Sequence, residues 1–317
     1  MAERRSPMAA DRPPRVLVTG AGGFVGQALV RALAKDWNVT ATDQTGLGFA
    51  DLPGVTALPG DLDDPELIAN LAATPFDAIV HLATVPGGAA EADPALATRI
   101  NVAASMALID AAAAHGNCPR VLFASSIAVF GDPLPAKVDD VTPARPMLRY
   151  GAHKAMIEEW IATMSRRGAI RGLSLRLPGI VARPLGPSGM KSAFLSNLFH
   201  ALKAGAPISL PVSADASCWL LSRHALTGQI QHALALPAAP ADTRLNLPAL
   251  RVVFGDLVAE VAQKTGSAGS LVRYAPDPAI EAAFGRQPPL STPRANALGL
   301  RHDGSLAALV AHALADL

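Results

Sequence analysis

Cysteine is scarce in this 317-residue chain, which contains only Cys118 and Cys218. The two residues lie far apart, with no CxxC spacing and no histidine at ligand spacing, so the pattern argues against a disulfide framework and against a zinc site. We therefore expect two free thiols in a reducing, cytoplasmic environment, and no bound metal.

An excess of one charge is also absent, because the formal net charge is only +1. A field this weak does not attract nucleic acid or anionic lipid, so neither is expected as a partner. No run of 18 apolar residues occurs, and we expect no membrane-spanning helix. Arg4 and Arg5 are followed by a charged, proline-containing segment instead of an apolar one, so residues 1–13 are predicted to form a disordered polar tail rather than a signal.

What the chain does contain is an alternation of short apolar strands with helical patterns. Half of its residues are apolar, which is enough for a large core. The order predicts an α/β fold, a Rossmann-type doubly wound parallel sheet covered by helices on both faces. Strands are predicted at 15–19, 38–43, 76–83, 120–126 and 172–177, and helices at 24–35, 65–73, 96–115 and 147–166.

The alternation becomes less regular after about residue 182. We predict a dinucleotide-binding domain at 14–182 and a smaller substrate-binding portion at 183–317, some of whose segments return to the sheet. In this second portion the pattern predicts a helix at 191–204, a strand at 243–247 and a last helix at 304–316.

A glycine-rich turn follows the first predicted strand and opens a helix, with glycines at positions 20, 23 and 26. Glycine allows the backbone to bend sharply and to approach a pyrophosphate, which the helix N-terminus then favours. Asp43 ends the next strand, where a carboxylate accepts hydrogen bonds from the adenosine ribose and repels a 2′-phosphate. Since Gln44 is neutral, NAD is favoured over NADP. An ordinary glycine-rich loop with a surface aspartate is the alternative.

Asp61 precedes the predicted helix at 65–73 and has two interpretations. Its carboxylate could accept a hydrogen bond from the adenine amino group, or it could cap the helix. The sequence does not decide between them.

Tyr150 and Lys154 are four residues apart in a predicted helix, so they share one face. A tyrosine is a poor base at neutral pH, and one positive charge about 4 Å away supplies roughly the three pH units of help that it needs. Ser125 and Ser126 end a strand, where open α/β sheets place their sites, and a serine hydroxyl there could orient a reacting oxygen. The alternative is a surface pair on a helix, but the only other tyrosine, Tyr274, has no lysine at this spacing.

These motifs resemble the extended short-chain dehydrogenases of the NAD-dependent epimerase/dehydratase family. The strings that carry the resemblance are 18–26 (VTGAGGFVG), 125–131 (SSIAVFG) and 150–154 (YGAHK). The family usually has tyrosine at the position of Phe130, a departure that should matter little. The resemblance implies an enzyme in which Ser126 is catalytic together with Tyr150 and Lys154.

The resemblance also implies which residues contact NAD, and it implies a homodimer formed by the helices at 96–115 and 147–166. Asn101, a poor helix former, is expected to break its helix locally and to support a water or Lys154. The implied NAD contacts, besides the glycine turn and Asp43, are Phe24, Val25, Asp61, Leu62, Leu82, Ala83, Asn101, Tyr150, Lys154, Pro178 and Val181.

Later strings resemble members of this family that oxidise C2 of a four-carbon sugar acid. They include 175–184 (LRLPGIVARP), 219–222 (WLLS) and 245–248 (LNLP). Such a substrate needs a partner for its carboxylate, and Arg183 and Ser192 lie where the substrate cover should begin. An arginine fork suits a carboxylate, although a structural ion pair is an equal alternative for Arg183.

Three other functions remain open. A uronate dehydrogenase would use the same chemistry on a longer acid. A UDP-sugar 4-epimerase would use the same Tyr-Lys pair, but needs basic and aromatic residues for a nucleotide diphosphate, and residues 183–317 contain one tyrosine and one tryptophan. A non-catalytic NAD-binding protein could share the fold, but the intact Ser126, Tyr150 and Lys154 argue against it.

Overall fold

A parallel sheet of seven strands forms the centre of the protein, in a computed structural model that describes residues 12–186, 191–237, 240 and 242–317. The predicted tail at 1–13 therefore lies, as far as residue 11, outside the described residues. The strands are β1 (Arg15–Thr19), β2 (Asn38–Asp43), β3 (Val55–Pro59), β4 (Ala78–His81), β5 (Arg120–Ser126), β6 (Arg171–Leu177), β7 (Gly179–Ile180), β8 (Ile208–Leu210), β9 (Ser217–Leu221), β10 (Arg244–Asn246), β11 (Leu250–Val253) and β12 (Val272–Tyr274).

The strand order of the central sheet is β10-β6-β5-β4-β1-β2-β3, and each neighbouring pair is parallel. This is the doubly wound order extended by one strand, so the fold class expected from the sequence is confirmed. The inner strands are apolar along their length because helices cover both faces. All four residues of β4 are buried, for example.

Helices alternate with these strands along the described residues, and several of them cover the central sheet. They are α1 (Phe24–Leu33), α2 (Pro65–Ala72), α3 (Gly87–Ala92), α4 (Pro94–Thr98), α5 (Ser105–Ala114), α6 (Arg149–Arg166), α7 (Phe194–Lys203), α8 (Arg223–Ala235), α9 (Phe254–Thr265), α10 (Pro278–Phe284), α11 (Pro293–Ala297) and α12 (Leu306–Ala315). On one face, α1 and α8 bury Leu29, Val30 and Ile230 against the strands. On the other face, α2, α5 and α6 bury Leu67, Leu108 and Ile157.

A second apolar core belongs mainly to the later part of the chain. Helices α7, α9 and α12 meet there around Phe199, Leu257 and Leu309. Two small sheets accompany them, one of order β11-β9-β7 and one formed by β12 and β8. The strand predicted at 243–247 is β10, which returns to the edge of the central sheet beside β6. The later part of the chain is thereby joined to the central sheet.

Residues 94–114 form a continuous helical stretch in which a π-helical turn (Arg99–Ala104) joins α4 to α5. Among the described residues this is the one stretch long and apolar enough, by length and composition alone, to cross a membrane. In this structure it lies against α2 and α6 and buries Ile100, Leu108 and Ile109 in the core. That is the environment of a core helix in a globular domain.

Candidate active site

The candidate site lies at the end of the central sheet where its strands terminate. Because the strands are parallel, the carboxyl ends of β1, β4, β5 and β6 all lie at this end of the sheet. The glycine turn follows β1, residues 82–85 follow β4, Ser126 ends β5, and Pro178 follows β6. Residues far apart in the sequence thus share the crevice where open α/β sheets bind their ligands.

The glycine turn forms a tight cradle at the start of α1. Gly20 has a positive φ of 70°, and a Cβ there would lie 2.7 Å from the backbone nitrogen of Ala83. A Cβ on Gly26 would lie 2.1 Å from the Gly20 carbonyl oxygen, so glycine allows α1 to begin directly against the turn. A Cβ on Gly23 would approach only the Gly20 oxygen, at 3.2 Å, and its other side is open.

The open side of Gly23 is where a phosphate can approach. Gly23 is the N-cap of α1 and has no side chain to bond the first-turn amides. These amides, beginning with those of Phe24 and Val25, are the groups that helix N-termini offer to anions. The turn therefore fits the pyrophosphate of a dinucleotide. Gly22 is a further glycine that the turn requires and that the spacing did not single out, because a Cβ there would lie 1.9 Å from the Thr45 carbonyl oxygen.

Asp43 lies at the end of β2 beside this turn. Its Oδ2 accepts a hydrogen bond from the Gly22 amide at 3.0 Å, and its Oδ1 accepts one from the Gln44 amide at 2.7 Å. Each carboxylate oxygen can accept more than one hydrogen bond. The residue can therefore fix the turn and still accept from a ribose hydroxyl.

Asp61 does not cap a helix, and that interpretation was wrong. The cap of α2 is Asp64, whose Oδ1 accepts from the Glu66 amide at 2.9 Å. Asp61 instead accepts from the Asp63 amide, also at 2.9 Å, within its own turn. Leu62 beside it is buried in the core. The adenine contact stays a prediction.

Asn101 lies in the π-helical turn, so the expected break in its helix is present. Its Oδ1 accepts from the Val85 amide at 2.7 Å and from the Thr84 hydroxyl at 3.0 Å, and its Nδ2 donates to the Val85 carbonyl at 2.9 Å. These bonds engage both its amide oxygen and its amide nitrogen. Asn101 thus holds residues 84–85 rather than Lys154. On the other side of this segment, Leu82 donates its amide to the Thr19 carbonyl at 3.1 Å.

The turn after β6 brings the second half of the chain to the site. Strand β7 follows Pro178 and pairs with β9, and the Val181 amide donates to the Leu221 carbonyl at 3.3 Å. Ala182 has a positive φ of 60°, which turns the backbone sharply before Arg183. Pro178 and Val181 are buried, and both lie in this turn at the crevice.

Tyr150, Lys154 and Ser126 meet in the crevice. Tyr150 lies in the first turn of α6, and Lys154 follows one turn later and is only 2% exposed. The Lys154 Nζ lies 5.4 Å from the centre of the Tyr150 ring and 4.6 Å from that of the Phe123 ring. The Ser126 hydroxyl hydrogen-bonds the Tyr150 phenol and also accepts from the Ala128 amide at 3.1 Å.

Burial changes the proton affinities of this pair. It raises the pKa of Tyr150 above its usual value, while the hydrogen bond from Ser126 and the charge of Arg183 act in the opposite direction. Burial also lowers the pKa of Lys154 to about 7, against the attraction of Glu158, which raises it. Burial of both groups therefore acts on their pKa values in addition to the charge of the lysine that the motif predicts.

Arg183 reaches the reacting end of the site. Burial lowers the pKa of its guanidinium, and the proximity of Tyr150 raises it. Its Nε donates to the Ile180 carbonyl at 3.3 Å, and its own carbonyl accepts from the His200 Nε2 at 2.7 Å. Ser192 lies on a separate 3-10 turn (Lys191–Ala193) ahead of α7, where it is half-buried. Of the two predicted carboxylate partners, Arg183 is the one whose charge acts on Tyr150.

Two supports of α6 were not identified from the sequence. Glu91, on α3, accepts from the Arg149 amide at 2.8 Å and so anchors the helix start next to Tyr150. Glu158 is 2% exposed and pairs with the Arg176 guanidinium through bonds of 2.8 and 2.7 Å. It also accepts from the Ser125 hydroxyl at 2.5 Å. The four-residue spacing of Tyr150, Lys154 and Glu158 was the available signal.

This geometry is that of a Rossmann-fold oxidoreductase that uses NAD. The chain belongs to the NAD dependent epimerase/dehydratase family, whose sequence profile matches residues 16–217. A D-erythronate dehydrogenase of Cupriavidus necator is 34% identical over 306 residues, covering 92% of this chain and 94% of that protein. A D-erythronate dehydrogenase of Haemophilus influenzae is 32% identical over 262 residues, covering 80% and 83%. The solved structure of a nucleoside-diphosphate-sugar epimerase from Agrobacterium tumefaciens is 29% identical, covers 96% of both chains, and superposes with a TM-score of 0.85.

Proposed function

We propose that this NAD-dependent dehydrogenase oxidises a small sugar acid of the D-erythronate type at C2, giving the 2-oxo acid. Two relatives that cover most of the chain have the name D-erythronate dehydrogenase, which supports the substrate class. The observation that carries the proposal is that Arg183, which follows the turn at the crevice, lies near enough to Tyr150 for the charge of each to shift the pKa of the other.

In a 2-hydroxy acid the carboxylate is attached directly to the carbon that reacts. When the C2 hydroxyl lies against Tyr150, a cation that binds the carboxylate must therefore lie close to that tyrosine. Arg183 satisfies this requirement, since its charge and that of a Tyr150 phenolate shift each other's pKa. A guanidinium also binds carboxylates through two parallel hydrogen bonds, more strongly where water is partly excluded.

In the proposed mechanism Tyr150 accepts the proton of the C2 hydroxyl. Ser126 hydrogen-bonds the same oxygen and orients it, and Lys154 stabilises the phenolate. NAD, held at the glycine turn and Asp43, would supply the hydride acceptor for C2. The C–H and O–H bonds are broken, the C2=O bond is formed, and the proton passes from Tyr150 to solvent.

We also propose a cytoplasmic homodimer that uses the exposed faces of α5 and α6. The two helices pack side by side, and Met156 on α6 is 54% exposed although it is apolar. An apolar side chain on an exposed helix face is compatible with such an interface. Sedimentation analysis of the wild-type protein and of Met156→Glu would test this part.

The substrate proposal is tested by measuring NADH absorbance with NAD and four acids: D-erythronate, L-threonate, glucuronate and galacturonate. We expect selective NADH production from a four-carbon acid. NADH production only from a uronate would support the proposed oxidation chemistry and would show that the substrate is a uronate instead of a four-carbon acid.

A UDP-hexose epimerisation assay belongs beside this panel, because a protein named as an epimerase superposes over nearly the whole chain. Epimerisation without NADH production from any acid would refute the proposed oxidation. Absence of both activities, with NAD bound, would favour a non-catalytic NAD-binding protein.

A further inference from the structure

His81 is a buried histidine that the proposed chemistry does not use. It ends β4 and is 1% exposed, and its ring stacks on Phe123 with 5.7 Å between ring centres. Its Nδ1 lies 2.6 Å from the Thr19 Oγ1, and its Nε2 lies 2.8 Å from the Ser105 Oγ. The ring thus connects the end of β1, directly before the glycine turn, with the first residue of α5.

The neighbouring bonds determine which ring nitrogen carries the proton. The Ser105 hydroxyl donates to the Ile100 carbonyl at 3.3 Å, so its oxygen is left to accept a proton from Nε2 of His81. Nδ1 must then accept from the Thr19 hydroxyl, whose oxygen also accepts from the Ala83 amide at 3.3 Å. All of the hydrogen bonds are satisfied by one neutral tautomer, with the proton on Nε2.

The environment of His81 keeps this tautomer neutral. Burial, together with the positive charge of Lys154, lowers the pKa of His81 to about 3. A ring that does not gain a proton at physiological pH, and whose two nitrogens are already bonded, is unsuited to proton transfer. Its contribution must therefore be structural or positional.

The two ends of this chain of hydrogen bonds fix one short segment of the crevice. Thr19 accepts the Ala83 amide at one end of residues 83–85, and Asn101 bonds both backbone groups of Val85 at the other. Asn101 follows Ile100 in the π-helical turn, and Ile100 is the last acceptor of the chain. The segment that follows β4 is thus held at one end by Thr19, which bonds the imidazole directly, and at the other by Asn101, whose neighbour Ile100 accepts from Ser105, the second partner of the imidazole.

We propose that His81 is a positioning residue for the cofactor: by bridging Thr19 and Ser105 it fixes residues 83–85 in the shape that binds NAD. This rests on NAD as cofactor and not on the identity of the sugar acid. Binding of NADH to the enzyme without substrate therefore tests it, whatever the substrate panel gives.

Three substitutions separate the parts of the bridge. His81→Phe keeps a ring against Phe123 and removes both nitrogens. His81→Asn keeps an acceptor near the position of Nδ1, and His81→Gln keeps a donor near that of Nε2. We expect NADH affinity, measured by fluorescence titration, to fall about tenfold or more in His81→Phe, and less in each amide variant.

Ile109→Val is the matched control, because it loosens the same helix in the core without touching the hydrogen bonds. It should lower the melting temperature and leave the Kd for NADH unchanged. Among the His81 variants that bind, the KM for NAD should rise and the pH dependence of kcat should stay as in the wild type. A changed pH profile would indicate a proton-transfer role and overturn the proposal.

A double-mutant cycle of His81→Asn and Ser105→Ala keeps the proposal testable if the His81→Phe variant does not fold. Ser105→Ala removes the same bond that His81→Asn removes, so the double variant should bind NADH about as well as the weaker single variant. Losses that multiply would mean that the two residues act independently. That result, or NADH affinity within twofold of the wild type in all His81 variants, would overturn the proposal.

Discussion

Replacing Arg183 with alanine tests the substrate proposal at the residue that carries it. A charge-assisted hydrogen bond contributes about 1.5–3 kcal/mol, so loss of the guanidinium should raise the KM for a sugar acid about 10- to 150-fold. The KM for NAD should stay nearly constant. The Arg183 charge also lowers the pKa of Tyr150, so its removal raises that pKa further. The limb of the kcat profile that reports the base should therefore move to higher pH.

The assay is steady-state NADH formation over a range of pH, with acid and NAD varied in turn. Arg183→Lys retains the charge and loses the planar fork, so it should keep the position of the pH limb while the KM for the acid still rises. Lys191→Ala, which removes an exposed cation from the following turn, is the matched control and should behave as the wild type. Equal and small effects of Arg183→Ala on both KM values would refute the carboxylate assignment.

Two further substitutions test the Tyr-Lys pair. Tyr150→Phe should abolish turnover while NADH still binds in a fluorescence titration, and retained turnover would remove Tyr150 from the role of base. Lys154→Met should also abolish turnover. It should nevertheless stabilise the fold below pH 7, because burial lowers the Lys154 pKa from 10.5 to about 7, and below that pH a charged, buried lysine lowers the free energy of unfolding. In the unfolded chain the lysine keeps its proton up to about pH 10.5. The free energy of unfolding of the wild type therefore rises with pH between 7 and 10.5, by at most about 1.4 kcal/mol per pH unit. Over this range the stability advantage of Lys154→Met disappears. Urea denaturation at pH 6 and pH 10 measures the difference in free energy of unfolding between Lys154→Met and the wild type. An equal difference at the two pH values would contradict this prediction.

The central sheet was predictable because its inner strands are buried on both faces. Val16, Leu17 and Val18 are fully buried in β1, and such continuous apolar runs stand out in a sequence. Strand β3 was not predicted, because it lies at the sheet edge, is mostly exposed and ends in Pro59. The helix α8 was also missed, since its apolar positions follow no clear stripe along one face and its place against α1 comes from tertiary packing.

The candidate site was predictable where its residues lie in short motifs. The glycine turn, Asp43 and the pair formed by Tyr150 and Lys154 have fixed spacings that follow from their chemistry. The long-range partners have no such spacing. His81 bonds residues 62 and 24 positions away, and in a sequence it reads as one histidine at the end of a buried strand.

Glu158 illustrates why the neighbouring sequence does not show whether a charged residue in a helix is exposed or buried. It lies one turn after Lys154 and would pass for an ordinary i, i+4 partner on a solvated face. The structure buries it instead, and Arg176 from β6 supplies the opposite charge across a bidentate contact. Lys154 is thereby followed by a buried carboxylate and then by a buried guanidinium, with charges that alternate from the crevice into the sheet. Glu158 raises the pKa of Lys154 against the effect of burial, which still lowers that pKa to about 7, so the buried carboxylate helps a lysine that is only 2% exposed to hold its proton up to about neutral pH.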